Sequence, residues 1–346
     1  MRVWHVVNES DGVAASGVGT FIRGVNEELL KLGVASRVFT EQIVLKSEAE
    51  LPDIVHIHGL WLGIQHYYAK WAKTRRLPIV WSTHGMTAPW AMHHKWWKKL
   101  LAWLLYQKRD LKSAAAIHCT TELEVGWNKS LGFNNCFIAP LGTNENQFHT
   151  PTLPSTPTHN SNYTLLFVGR IYPVKGLVNL IKAWKILHDS TCSTWLNWKL
   201  RIVGPDQAGH QFELESLVRE LGLCDSVEFP GPKFGEELSA EYNNCDCLVL
   251  PSFTENFGAT VVDAMAHGKP VITSSFTPWK IVQESGCGWW VSNEPDKLAE
   301  AIRGMIDAGD VKRCEMGRRG RRLVEEKYTW SAVGKTMKSA YERLLA

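Results

Sequence analysis

The chain has no C-x-x-C pair, no apolar run near the roughly 20 residues that cross a bilayer, and no tract of low hydrophobicity. A transmembrane span and an intrinsically disordered chain are thereby excluded, and the eight cysteines are expected as reduced, mostly buried thiols rather than disulfide partners. Cys245 and Cys247 lack a second ligand pair and are expected in the core rather than on a metal. A net charge of +3 is too small to imply nucleic acid. The opening Met1–Val7 runs straight into a strand-like segment without the basic, apolar and small-residue zones of a signal peptide, so a cytoplasmic location is expected.

What is there suits two α/β domains: 346 residues, 45% apolar and 21% charged. Short continuous apolar stretches at Val3–Val7, Ile54–His58, Ile79–Thr83, Ala116–Thr120 and Phe137–Pro140 read as strands buried on both faces of a parallel sheet. Phe21, Ile22, Val25, Leu29 and Leu32 recur at helical spacing, with Gly33 as the stop. Residues 149–162 are rich in Pro, Thr, Ser and Asn without periodicity, the composition of a linker. Alternation restarts at Leu165–Val168, Leu200–Val203, Val227–Phe229, Cys247–Leu250 and Val271–Thr273. The expected organisation is residues 1–148, the linker 149–162, residues 163–328, and a C-terminal helix, 329–346, packing back on the first domain. Both domains are expected as doubly wound, Rossmann-like parallel sheets.

In such sheets ligands bind where strands end and helix N-termini offer unpaired N–H groups. Three segments sit at such ends. Gly12–Gly19 is a small-residue loop after the first strand. It fits a dehydrogenase poorly, because Gly17-x-Gly19-x-x-Ile22 lacks the third glycine of the dinucleotide fingerprint. Gly169–Gly176 places Arg170 and Lys175, two cations able to clamp a diphosphate, after the first strand of the second half. Pro251–Ile272 places Glu255 in a loop, a helix start near Gly258, and Asp263 eight residues after Glu255. Glu255 can bind sugar hydroxyls, Asp263 the ribose, and the helix N–H groups the diphosphate between them.

This last segment resembles the E-x7-E signature of retaining family 4 glycosyltransferases, and Gly169-Arg170-x4-Lys175-Gly176 matches that family's upstream motif. The resemblance runs over essentially the whole chain and implies the GT-B fold, with the acceptor mainly on the first domain and the donor mainly on the second. It implies that Arg170 and Lys175 hold the distal phosphate, that Ala259 and Thr260 offer backbone N–H groups to the phosphates, and that Gly17 approaches from the first domain. Glu255 would bind the transferred sugar with Asn256, Phe257 and Gly258. Two departures stand out: the second acid is Asp263 rather than Glu, about 1.5 Å shorter in reach, and Thr277-Pro278-Trp279 replaces a glycine pair.

Matching the family, His84 in Ser82-Thr83-His84-Gly85-Met86 would lie beside the reacting sugar and stabilise its oxocarbenium-like transition state. His56 and His58 share a strand face but have no nearby acid to complete a metal triad, so they read as strand residues, with His58 a candidate for the acceptor cleft. Residues 95–109 read as one amphipathic helix, with Trp96, Trp97, Leu100, Trp103 and Leu104 on one arc and Lys95, Lys98, Lys99 and Arg109 on the other, suited either to the core or to an anionic membrane surface. No D-x-D sequence stands in a suitable loop, so the transfer is expected to need no metal. The donor is a UDP- or GDP-sugar. The acceptor the resemblance implies is a glycan or lipid-linked glycan of cell-surface polysaccharide or lipopolysaccharide. The alternatives are an epimerase of the same fold and a non-catalytic nucleotide-sugar-binding protein.

Overall fold

The computed structural model describes residues 1–8, 17–41, 51–93, 96–144, 163–190 and 196–346. Residues 12–16 of the first glycine-bearing loop, Lys95 and the whole 149–162 linker lie outside them. The chain divides into two compact units, one of Met1–Gly142 with Tyr328–Ala346 and one of Thr143–Lys327.

The first unit holds strands β1 (Arg2–Val6), β2 (Ala35–Phe39), β3 (Ile54–His58), β4 (Ile79–Ser82), β5 (Ala116–Cys119) and β6 (Cys136–Ile138) in one sheet of order β2-β1-β3-β4-β5-β6. Every pairing is parallel. Helices α1 (Gly17–Lys31), α2 (Gly63–Thr74), α3 (Pro89–His93), α4 (Trp96–Ala102), α5 (Lys108–Lys112) and α6 (Glu122–Ser130) connect them, with a π-helical turn at Trp103–Gln107 between α4 and α5. That turn corrects the single-helix reading of 95–109. The wider turn shifts the angular register, so the arc drawn on an ideal wheel does not persist, and Trp103 turns toward the core while Leu104 and Leu105 stay exposed.

The second unit holds β7 (Tyr163–Val168), β8 (Trp198–Val203), β9 (Val227–Gly231), β10 (Cys247–Leu250), β11 (Val271–Ser274) and β12 (Gly288–Val291), again all parallel, in the order β12-β11-β10-β7-β8-β9. Its helices are α7 (Leu177–His188), α8 (His210–Glu220), α9 (Gly235–Asn244), α10 (Ala259–Ala266), α11 (Ile281–Glu284), α12 (Pro295–Asp307) and α13 (Gly309–Lys327). The last helix, α14 (Trp330–Leu345), belongs to the first unit. The Thr329 hydroxyl caps it by accepting from Ala332 N at 3.1 Å. Trp330 then seats where only glycines fit, since a Cβ on Gly24 of α1 or on Gly142 would lie 2.4 or 2.5 Å from its ring.

The strands form because their apolar runs are buried on both faces. In the first unit one face packs Val55, Ile57, Trp81 and Ile117 against α2 and the chain around it. The other packs Val3, Ile54 and Val80 against Phe21 and Val25 of α1 and Val333, Met337 and Tyr341 of α14. Sheet order marks the ends where ligands bind in sheets of this kind. In each unit the order reverses beside the first strand, at β1/β3 in one and β7/β10 in the other, and the carboxyl ends there open a crevice.

Candidate active site

In the second unit both motifs project from that reversal, Gly169–Gly176 after β7 and Pro251–Gly258 after β10, and the two loops are joined to each other. Phe253 N donates to Val174 O at 2.8 Å. Asn293 Nδ2 donates to Pro251 O at 2.7 Å. Gly176 has φ +71°, and a Cβ there would stand 2.2 Å from Pro251 O, so no other residue fits. The close approach brings Lys175 Nζ to 2.5 Å from Glu255 Oε1, with side chains only 15% and 11% exposed, and Ser252 Oγ donates to the same carboxylate oxygen at 2.7 Å. A pair this well covered holds both ends in place, and losing one partner leaves a charge poorly solvated.

Beyond Glu255 the chain turns through Gly258, φ +83°, into α10. Trp279 props this turn: its Nε1 donates to Phe257 O at 2.5 Å, its ring meets Phe257 edge-on at 5.2 Å, and a Cβ on Gly258 would press on it at 3.0 Å. The first turn of α10 carries Ala259 and Thr260. The Thr260 hydroxyl is buried with no hydrogen-bond partner among the described residues, so an acceptor oxygen placed at this helix start would satisfy it. One turn on, Thr143 Oγ1 donates to Asp263 Oδ1 at 3.2 Å, and burial pushes the Asp263 carboxyl up to about 6. Arg170 is exposed, its Nη1 donating to Gln207 Oε1 at 3.0 Å.

In the first unit, one face of the sheet carries a buried layer of imidazoles. Strand register puts His5 beside His56, His58 beside Ser82, and Ser82 beside His118. Tyr341 OH lies 2.6 Å from His56 Nδ1, His56 Nε2 2.6 Å from Ser82 Oγ, Ser82 Oγ 2.7 Å from His118 Nδ1, and His118 Nε2 2.8 Å from Ala139 O. A carbonyl only accepts, so His118 carries its proton on Nε2. Burial lowers the basicity of both rings and keeps them neutral. With one proton per ring the direction of the rest follows: Tyr341 donates to His56, His56 to Ser82, and Ser82 to His118.

A second chain runs from His5 Nδ1 to His58 Nε2 at 2.9 Å and from His58 Nδ1 to His84 Nε2 at 3.0 Å. Burial lowers the pKa of His5 and of His84 to about 3. His84 sits at φ +48°. The turn is held by the wholly buried Glu124, whose Oε1 accepts from Thr83 Oγ1 at 2.7 Å and Gly85 N at 2.6 Å while Oε2 accepts from Thr120 N at 2.7 Å. Nitrogens of His5, His56 and His58 cluster within 4.8 Å, but each ring of the three already bonds another side chain, and a metal would have to displace those bonds.

A family model for glycosyl transferases group 1 matches residues 152–323, and one for the glycosyl transferase 4-like domain matches residues 12–135. The chain belongs to the group 1 glycosyltransferases. It is 34% identical over 181 residues to an uncharacterised glycosyltransferase of Methanocaldococcus jannaschii, covering 51% of this chain and 44% of that one. It is 30% identical over 195 residues to a D-inositol 3-phosphate glycosyltransferase of Kineococcus radiotolerans, covering 52% and 44%. These matches span less than half the length of each relative. Anabaena HepE, described as in complex with UDP, superposes with a TM-score of 0.75 at 17% identity, covering 99% of this chain and 100% of that one. The fold is GT-B.

In this glycosyltransferase the second unit gathers Lys175, Glu255, Asn256, Phe257, Gly258, Ala259, Thr260 and Asp263 at one sheet reversal, with Arg170 at its exposed edge. Gly17 opens α1, and His84 stands in the turn two residues after β4, in the first unit. His58 is wholly buried between His5 and His84, which corrects its placement at an open cleft. The sequence reading missed three supporting residues. Trp279 appeared there only as a departure. Glu124 follows Thr121 at the capping-box spacing, and Thr121 Oγ does accept from Glu124 N at 3.2 Å, but nothing local announces its reach to Gly85. His5 becomes meaningful only once β1 is paired with β3.

Proposed function

We propose that this glycosyltransferase moves a sugar from a UDP- or GDP-sugar, with retention at the anomeric carbon and without a divalent metal, to a hydroxyl of a glycan or lipid-linked glycan. The observation that carries the reading is the joined pair of loops at the β7/β10 reversal, where Lys175, Glu255 and the mouth of α10 stand together. A diphosphate has two negative phosphoryl groups to satisfy, and Lys175, Arg170, the N–H groups of Ala259 and Thr260 and the Thr260 hydroxyl are the donors that suit it. The glycosidic C–O bond to the diphosphate breaks with its electron pair leaving on oxygen, and the acceptor oxygen bonds to the same carbon as its proton passes to that departing diphosphate oxygen. Charge on the leaving group is stabilised by donors already fixed in place, which is why no metal is invoked.

Glu255 takes hydroxyls of the transferred sugar and Asp263 the ribose, while His84 serves the reacting sugar. That HepE is described as a UDP complex supports a nucleoside diphosphate as ligand. For the acceptor side, the surface run Trp96–Leu105 supports a membrane-bound substrate. Trp96 is 61% and Leu104 68% exposed, Trp97, Leu100, Leu101 and Leu105 are exposed with them, and Lys98, Lys108 and Arg109 flank them. Among the described residues no helix is long and apolar enough to cross a membrane, so the contact proposed is peripheral.

The decisive measurement is melting temperature against a panel of nucleoside diphosphates, followed by transfer from the stabilising donor in excess chelator. UDP or GDP should raise the melting point, turnover should persist in chelator, and Glu255→Ala should lose transfer by about 100-fold or more. Full activity of Glu255→Ala removes that residue's role. Strict magnesium dependence removes the metal-free mechanism, and an epimerised donor formed without acceptor replaces transfer by epimerisation.

A further inference from the structure

The imidazole chain His5–His58–His84 has two self-consistent proton orders, and the structure distinguishes them. In one, His84 donates from Nε2 to His58, His58 donates to His5, and His5 is left with an Nε2–H. In the other, His5 donates from Nδ1 to His58, His58 donates from Nδ1 to His84 Nε2, and His84 carries its proton on Nδ1. His5 Nε2 is the group that decides, because it is wholly buried and has no hydrogen-bond partner among the described residues. A buried N–H without an acceptor is rarer in proteins than an acceptor left short of a donor. The second order strands a lone pair and the first a proton, so the second is favoured.

We infer that His5 and His58 are positioning residues that lock His84 as its Nδ1–H tautomer, making it a fixed hydrogen-bond donor toward an oxygen of the bound sugar substrate. His84 Nδ1 is the nitrogen left over for this task, since His58 occupies Nε2 and no described residue bonds Nδ1. The order cannot be overwritten locally. His58 lies in a near-parallel stack of imidazoles, 4.1 Å from His56 and 5.3 Å from His84 between ring centres, with His5 at 5.2 Å. His56 is itself fixed in the other chain, pinned at one end by Ala139 O, so ring flips in one chain would disturb the other. A neutral imidazole that presents N–H can polarise or hold a substrate oxygen without delivering its proton. His84 therefore acts as a neutral electrophile rather than as a general acid or base.

This assignment rests on the proposed sugar transfer for its catalytic use, but not for its tautomer. The test combines a long-range proton–nitrogen NMR spectrum of the full chain labelled with 15N-histidine and steady-state kinetics with the donor identified by melting. In the wild type, His84 should show a protonated Nδ1 and an unprotonated Nε2. His5→Phe keeps a flat ring but removes the donor that sets the order. It should move His84 toward the Nε2–H form and lower kcat roughly ten-fold, with the donor KM changed by less than two-fold. His5→Asn, whose amide nitrogen stands near the place of Nδ1 and restores an N–H donor, should recover most of kcat, a rescue that a purely space-filling role for His5 would not give. An Nε2–H tautomer at His84 in the wild type overturns the inference even if His5→Phe fails to fold. So does a folded His5→Phe that leaves both the tautomer and kcat unchanged. The expected tautomer in a protein that transfers no sugar would keep the lock and overturn only the proposed function.

Discussion

The two units share an all-parallel six-stranded sheet but fill it in opposite ways. In the second, the central stretches Leu165–Val168 and Cys247–Leu250 are apolar on both faces, and the candidate-site side chains stand on the loops beyond their carboxyl ends. In the first, β1, β3, β4 and β5 carry His5, His56, His58, Ser82 and His118 into the interior, under Phe21 of α1 and Tyr341 of α14. Phe21 stacks on His118 at 4.9 Å, so the cover admits no water there, and the imidazoles are satisfied by one another, by Ser82 and Tyr341 and by Ala139 O. A loop site can be built on a dry sheet when backbone N–H groups do the binding, the role proposed for the start of α10. A side chain at a strand end needs its ring orientation fixed from behind, and the buried layer supplies that at a cost in pH tolerance.

That cost gives the largest contrast between the units. His5 and His84 fall from an ordinary value of 6.5 to about 3 when folded. Between those values the unfolded chain binds protons that the folded one refuses, so stability is lost as pH falls through 6.5 and continues to fall toward 3. At pH 5 each contributes about 2 kcal/mol of destabilisation relative to pH 8, about 4 kcal/mol together. Hydrogen exchange across a urea gradient at pH 5 and 7.5 reads each sheet separately. The amides of β1, β3 and β5 should lose protection at lower urea at pH 5, while those of β7 and β10 hold. Equal shifts in both sheets would erase the contrast.

Why one unit was more legible than the other follows from the same difference. Cys247–Leu250 and Ile54–His58 were bounded correctly because short apolar runs between glycines and polar turns leave few alternatives. Lys175 and Glu255 lie 80 residues apart, yet Lys175 adjoins Gly176 and Glu255 stands three residues before Gly258, each in a loop that follows a strand, so both loops announced themselves. The imidazole layer has no such local mark. His5 and His58 are 53 residues apart and Tyr341 is 285 from His56, and only strand register and the return of α14 bring them together. The strand β12 also escaped notice: Gly288–Val291 is only four residues long and becomes a strand by pairing with β11.

The surfaces differ next. Exposed large apolar side chains of the second unit, such as Phe212, Phe234 and Phe276, are scattered along the chain, whereas the first concentrates Trp96, Trp97, Leu100, Leu101, Leu104 and Leu105 in one run. If that run meets lipid, replacing both Trp96 and Trp97 by Ser should weaken binding to vesicles containing phosphatidylglycerol by about 2 kcal/mol, roughly 30-fold. Cosedimentation measures this directly, and melting with nucleoside diphosphate should be unaffected because the loops proposed to bind it belong to the other unit. Undiminished sedimentation of the double variant would leave the run without a membrane role.

The smallest effect has the opposite sign to the first and sits in the second unit. Asp263 is raised from 3.8 to about 6 by burial, offset in part by the hydrogen bond from Thr143. Its folded form prefers the proton, so its contribution is unfavourable above pH 6 and vanishes below the unfolded value. Asp263→Asn keeps an oxygen for Thr143 and removes the charge. Discounted for its partial solvent contact, the gain should be about 1 kcal/mol at pH 8 and close to nothing at pH 4. Melting curves of the two proteins should therefore converge on acidification, the reverse of the histidine trend. The same substitution should weaken nucleoside diphosphate binding if Asp263 takes the ribose, because a neutral amide accepts a hydroxyl less strongly than a carboxylate. A variant both more stable and poorer at binding would mark a carboxylate kept for its ligand at the expense of the fold, whereas one with unchanged melting at pH 8 would mean that the carboxylate is solvated.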